Sequence, residues 1–182
     1  MKGRKLLALL MAMMIAVTGA LAAGCSSDTS SGEGGNAGGE ASESEAEEKS
    51  EYGVGETATI NDVDITLVGA VESAGDDFFT PAEGNKFEIL EFEIANNSDE
   101  EVAVSSIMCF EAYCDDYSID VSYDGELAPE AEGKSTLDGT VAAEKKMNGI
   151  IAYEVPADFE RLEVDVNLDV WSDEAVKFVV TQ

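Results

Sequence analysis

Residues 162–170 read Leu162-Glu163-Val164-Asp165-Val166-Asn167-Leu168-Asp169-Val170, apolar and polar side chains alternating without a break. Successive side chains of an extended chain point to opposite faces, so the aliphatic residues share one face and the polar ones the other. This predicts a β-strand with one buried and one solvated side. Asp165, Asn167 and Asp169 also invite a cation reading. Alternation alone accounts for them, and residues two apart on a straight strand lie about 7 Å apart, too far to share one ion.

The same period extends outward in both directions. Val176, Phe178 and Val180 mark a last strand. Upstream, Met147 to Val155 is a strand stopped by Pro156, and Thr136 to Ala142 is another. Residues 117–123 read as a short edge strand. Val102, Val104, Met108, Phe110 and Ala112 share one inward parity. In Lys86 to Ala95, Leu90, Phe92 and Ile94 fall on one face and Phe87 and Ile89 on the other, which predicts a bulge or a strand buried on both sides. Asn96-Asn97-Ser98-Asp99 then makes a turn. Thr57 to Ile60 and Val63 to Val71 flank Asn61-Asp62, a two-residue hairpin signal. Ala142 to Met147 offers one helical turn at most. Seven to nine short strands without a true helix predict an all-β, two-sheet antiparallel sandwich over residues 52–182.

The first fifty residues have a different character. Lys2-Gly3-Arg4-Lys5 is a basic head, and no charged residue occurs from Leu6 to Ala23. That length could cross a bilayer, but the small residues Ala22-Ala23-Gly24 followed by Cys25 favour a cleaved export signal. Leu21-Ala22-Ala23-Gly24-Cys25 resembles the lipobox of bacterial lipoproteins. The resemblance implies a signal peptide over 1–24 and a lipid on Cys25, which would hold the mature chain on the outer face of the cell membrane. Two acyl chains suffice for stable anchoring. Residues 26–51, SSDTSSGEGGNAGGEASESEAEEKSE, lack any large apolar residue, so nothing offsets the entropy of ordering them. With Cys25 they form a predicted disordered acidic linker, 25–51. As a coil it spans roughly 28 Å, and stretched about 90 Å.

Charge and composition exclude several functions. The chain carries 39 acidic and 10 basic residues, a net charge of −29. Loss of Lys2, Arg4 and Lys5 with the signal would make that −32. Such a surface argues against nucleic acid or anionic lipid as partners and leaves divalent cations and basic polypeptides. There is no histidine, which removes Ser-His-Asp and Cys-His catalysis and histidine-containing zinc sites. No Gly-x-Ser-x-Gly, Ser-x-x-Lys or Walker pattern occurs in the domain.

Gly53-Val54-Gly55-Glu56-Thr57, Gly84-Asn85-Lys86-Phe87, Asn96-Asn97-Ser98, Met108, Phe110, Gly149 and Tyr153-Glu154-Val155-Pro156 occur in that order. Together they resemble an uncharacterised bacterial lipoprotein family, a domain of unknown function grouped with immunoprotective extracellular proteins. The resemblance implies an immunoglobulin-like sandwich and export, and it carries over no catalytic residue. The motif glycines and asparagines read as turn formers.

The remaining chemistry is sparse. Cys109 and Cys114 are five apart, about 17 Å along a straight strand and on opposite faces, so a bridge needs a bend between them. Both a disulfide and two free thiols stay open. The acidic run Asp115, Asp116, Asp120, Asp124 and Glu126 is the best cation candidate, though it lacks EF-hand spacing. Trp171, Phe78 and Phe79 could mark a binding patch or fold back over a sheet edge. The leading reading is a non-enzymatic module, without cofactor, that meets an extracellular protein or cell-wall ligand. The alternatives are a calcium-linked module using residues 115–126 and a carboxylate-pair hydrolase.

Overall fold

The computed structural model describes residues 49–169 and 174–182. The predicted signal peptide, Cys25, nearly all of the linker, Val170 and Trp171 lie outside the described residues. Within them the strands are β1 (Thr57–Ile60), β2 (Val63–Ser73), β3 (Asn85–Asn96), β4 (Val102–Val104) and β5 (Phe110–Cys114). They continue with β6 (Tyr117–Ile119), β7 (Gly139–Val141), β8 (Lys145–Pro156), β9 (Arg161–Val166) and β10 (Val176–Thr181). Two sheets, ordered β1-β2-β3-β8 and β10-β9-β5-β6, face each other, and β4 and β7 form a separate pair. Every ladder is antiparallel. This is the predicted all-β, immunoglobulin-like sandwich.

The alternating run behaves as its pattern requires. Leu162, Val164 and Val166 of β9 are fully buried, while Glu163 and Asp165 lie on the outer face, where Lys177 and Arg161 pair with them. The strand ends at Val166. There the Asn167 side-chain oxygen accepts the Asp169 backbone N–H at 2.9 Å and turns the chain out of the sheet. From the opposite sheet Leu67, Leu90, Phe92 and Ile94 complete the core. The Phe92 ring meets Phe110 at 5.5 Å and Phe178 at 5.3 Å between centroids, tilted and edge-on, so aromatic packing locks the two sheets together. The Asn61-Asp62 hairpin forms with both residues left-handed (φ 49° and 60°) and Ile60 opposite Val63.

Strand β3 is buried on both faces. Phe87 and Ile89 join Ile150, Ala152, Ala128 and Ala131 in a second, outer apolar cluster. The irregularity lies in its neighbour, where β2 is bulged between Leu67 and Gly69. The lid over that outer cluster is a segment the alternation did not resolve: a single helical turn α1 (Tyr123–Glu126) and a 3-10 turn at Pro129–Ala131. Ser122 caps α1 by accepting the Gly125 N–H, and the Ser73 hydroxyl is bonded to the Glu130 carboxylate.

The segment 121–137 also closes the open edge of β8. Val121 bridges Tyr153, the Ser122 N–H donates to the Ala152 carbonyl at 2.7 Å, and the Leu137 N–H donates to the Ile150 carbonyl at 3.0 Å. At the far edge Tyr52 pairs with β10. Among the described residues the remaining edges belong to short strands, β1 and β6 of the main sheets and the β4–β7 pair, a small liability for unwanted strand pairing.

Several expectations need correction. Ten strands are present rather than seven to nine, because the run Val102 to Ala112, expected as one strand, forms two. Val102 to Ala112 is not one strand: β4 and β5 belong to different sheets, and the turn at 105–109 between them turns Met108 outward. Ala142 to Met147 holds no helical turn, since Glu144 is left-handed (φ 60°) and Lys145 already starts β8. Gly149 is not a turn former either. It lies buried inside β8, where a Cβ would stand 2.9 Å from the Thr136 carbonyl oxygen.

Candidate functional site

Where β5, β6 and α1 come together, seven residues line a groove of about 230 Å³: Ile107, Phe110, Ile119, Asp120, Val121, Tyr123 and Tyr153. Its construction follows from the closing segment. After β6 the chain leaves one sheet to bridge the edge of the other at Tyr153, so the groove straddles the mouth of the sandwich. One wall is Tyr123, 57% exposed at the start of α1. The other is Ile107, 66% exposed on the turn between β4 and β5. That turn is fixed from outside. Asp138 accepts the Ser106 backbone N–H at 2.9 Å with one oxygen and the Ser106 hydroxyl at 3.0 Å with the other.

Tyr153 is the unusual member. It is 1% exposed, and its hydroxyl is buried without a hydrogen-bond partner, a state native interiors rarely tolerate. Burial first, and then the nearby Glu126 carboxylate, push this phenol above its ordinary range. Glu126 Oε1 is likewise buried and unpartnered, and burial followed by Asp138 raises the Glu126 carboxyl to about 7. Asp120 is the one carboxylate that lines the groove, while the Glu126 charge acts on Tyr153 and the Asp138 charge on Glu126.

The predicted cation residues are distributed as follows. Asp115 and Asp116 form the left-handed two-residue turn between β5 and β6 (φ 46° and 70°), and Asp115 Oδ1 accepts the Glu160 and Arg161 N–H groups at 3.0 and 2.9 Å. Those bonds tie the β5–β6 hairpin to the start of β9. Asp120 lines the groove, while Asp124 and Glu126 lie on α1. Among the described residues no three His, Cys, Asp or Glu side chains converge as a metal site. Cys109 and Cys114 are buried, free thiols at the two ends of β5, and burial, then Asp115, raises the Cys114 thiol above its usual range. Of the loop aromatics, Phe79 is half-buried, and Phe78 stands 87% exposed on a loop whose backbone Asp76 holds by accepting the Phe78 and Phe79 N–H groups, both at 2.8 Å.

Sequence reasoning missed Ile107, Tyr123 and Tyr153 as a group, because they come from three separated segments. The one available signal was a tyrosine at a fully inward position of β8, whose hydroxyl would need a partner.

Comparison with solved structures supports the fold. The chain is 14% identical to ycdA, a candidate lipoprotein of Bacillus subtilis subsp. subtilis str. 168, with a TM-score of 0.57 over 69% of this chain and 38% of that one. It therefore spans little more than a third of that protein. It is 17% identical to the yjhA protein of Bacillus subtilis, with a TM-score of 0.52 over 71% of this chain and 98% of that one. It is 15% identical to a conserved hypothetical protein from Bacillus anthracis, with a TM-score of 0.50 over 69% of this chain and 94% of that one. None of the curated proteins matches the chain. The family model of the domain of unknown function DUF4352 matches residues 52–176, from Tyr52 at the β10 edge to the first residue of β10, and the chain belongs to that family.

Proposed function

We propose that residues 52–182 form a binding module of a lipid-anchored, extracytoplasmic protein, and that the module takes an exposed side chain of a polypeptide partner into the groove between Ile107 and Tyr123. The observation that carries this is the combination of two large exposed side chains, Ile107 and Tyr123, with a lining tyrosine whose buried hydroxyl has no partner. An apolar slot with one placed polar group is the common form of a recognition site. The rim is also preorganised, since Asp138 fixes the turn that carries Ile107 and the Ser122 cap fixes the turn that carries Tyr123. Anchoring rests on the lipobox-like run that ends at Cys25. Action by binding rather than turnover is supported by the missing histidine and the missing nucleophile motifs.

A photo-crosslinking residue placed at 107, 123 or 71 of the full chain in intact cells tests this reading. Positions 107 and 123 should give one shared adduct that Cys25→Ala relocates out of the membrane fraction. Position 71, on β2, should not give it. The same adducts at 71, or none at 107 and 123, would overturn the proposal.

A further inference from the structure

The chemistry around the groove selects among side chains, an inference that rests on the groove being the binding site. Three acids, Asp120, Asp124 and Glu126, lie in it or on α1, and none is in an ion pair among the described residues. Of the seven cations among the described residues, all but Lys145 are committed elsewhere, Lys49 to Glu56 among them. Lys86 pairs with Glu72, Lys134 with Glu91, Lys146 with Glu93, Lys177 with Glu163, and Arg161 with Glu51 and Glu163. The negative charge beside the groove is therefore left without a cation from within. Tyr153 supplies the independent observation, since it lines the groove and its buried hydroxyl has no hydrogen-bond partner.

We propose that the groove binds a lysine side chain of an extracytoplasmic polypeptide, its methylenes between Ile107 and Tyr123 and its ammonium at the Tyr153 hydroxyl and the Asp120 carboxylate. Apolar walls with a polar end suit a long aliphatic stem that carries a point charge. A purely apolar side chain would leave the Tyr153 hydroxyl buried and unpartnered in the complex, a cost that the ammonium removes. An ammonium's three rotatable donors can serve a hydroxyl and a carboxylate in any mutual orientation, whereas a guanidinium needs its acceptors in the plane of its fork, so lysine is the less demanding fit. Tyr123 at the rim adds an aromatic face for the cation. The strong negative charge of the domain steers a basic segment toward this surface.

The test is an NMR titration of the full chain with three blocked pentapeptides that differ only at a central lysine, norleucine or arginine. The lysine peptide should shift the backbone amides of 106–108, 119–123 and 153 and bind at least about fivefold tighter than the other two. Tyr153→Phe and Asp120→Asn should each erase that preference. Tyr153→Phe keeps the ring and the fold, so an unchanged spectrum elsewhere reports folding directly. Equal binding of the norleucine peptide would overturn the lysine inference and leave the groove as the site. Preference for the arginine peptide would overturn it too. Shifts confined to other surfaces, or none, would overturn both.

Discussion

Glu88 and Tyr153 stand opposite one another in the β3–β8 ladder, and each buries an oxygen that has no hydrogen-bond partner. Glu88 shares the inward parity of Leu90 and Phe92, so a carboxyl sits at the end of the sandwich core with only 3% of its surface exposed. Its neighbours there are Tyr153, Lys86 on its own strand and Glu72 on β2, and Lys86 is taken up by Glu72. Burial first, and then Glu72, raise Glu88 to about 7, while Lys86 acts the other way.

A carboxyl whose folded pKa lies above its unfolded value binds a proton more tightly in the native state. Its contribution is complete below the unfolded value of 4.5 and is lost as pH rises through about 7. Glu88→Gln keeps the shape without the charge and should be relatively more stable than the parent at pH 8 than at pH 5. The change in that difference should be on the order of 2–3 kcal/mol by urea unfolding. A pH-independent difference would mean that Glu88 is ionised throughout. Glu126, also raised to about 7, should show the same sign in Glu126→Gln, with a smaller effect because it is less deeply buried.

The segment that builds the groove is held down at two glycines. A Cβ on Gly125 would stand 2.8 Å from Ala152 Cβ and 3.1 Å from the Phe87 ring, and one on Gly149 would stand 3.0 Å from Leu137 Cα. Neither residue appears among the positive-φ glycines, so any penalty is steric rather than conformational. Gly125→Ala and Gly149→Ala should each destabilise by about 1–3 kcal/mol, the usual cost of overpacking. Hydrogen exchange should quicken first at Ser122 and Leu137, whose N–H groups bond the β8 edge. Exchange that quickens evenly over the whole domain would show that the segment is not a separately released unit.

How far the sequence disclosed this molecule depends on how local each instruction is. The Asn61-Asp62 hairpin, the alternation of Leu162 to Val166 and the opposed parities of Phe87 and Ile89 are all set by neighbours within a few residues and appear as read, while Asn167 to Asp169 of the same run leave the strand. The closing segment is set by long-range bonds to the β8 edge, so 121–137 shows no period of its own. Met108 was misplaced because two short strands of different sheets happen to share a parity across a turn. The acidic run 115–126 looked like one site, yet Asp115 holds a hairpin, Asp120 lines a groove and Glu126 lies on α1. Ile107 and Tyr153 could not be placed beside Asp120 without knowing that the chain changes sheets there.

Asp138 should act on the groove only through Ser106. Asp138→Ala removes both bonds to that residue and should leave the Ile107 turn free to move. The Ser106 amide should exchange at least about fivefold faster, and partner adducts at position 107 should fall while those at 123 persist. Unchanged exchange at Ser106 would show that the turn is fixed by the Cys109 N–H bond to the Ser105 carbonyl alone.

The thiols give a test of the core that does not depend on any partner. Cys109 and Cys114 flank β5, both buried and neither bridged, and the Cys114 thiol is further protected because burial and Asp115 disfavour its thiolate. Thiolate is the reactive form, so a maleimide at pH 7 should label neither residue in the folded chain and both in 6 M urea. The spacing rule points the same way: the extended run of β5 from Phe110 to Cys114 separates the turn residue Cys109 from Cys114 too far for their sulfurs to join. Mass spectrometry of the unreduced chain should therefore find both free. A bridged peptide pair, or fast labelling of one thiol before unfolding, would mean that β5 bends or opens between Phe110 and Cys114, and that the wall carrying Ile107 is less fixed than its bonds to Asp138 imply.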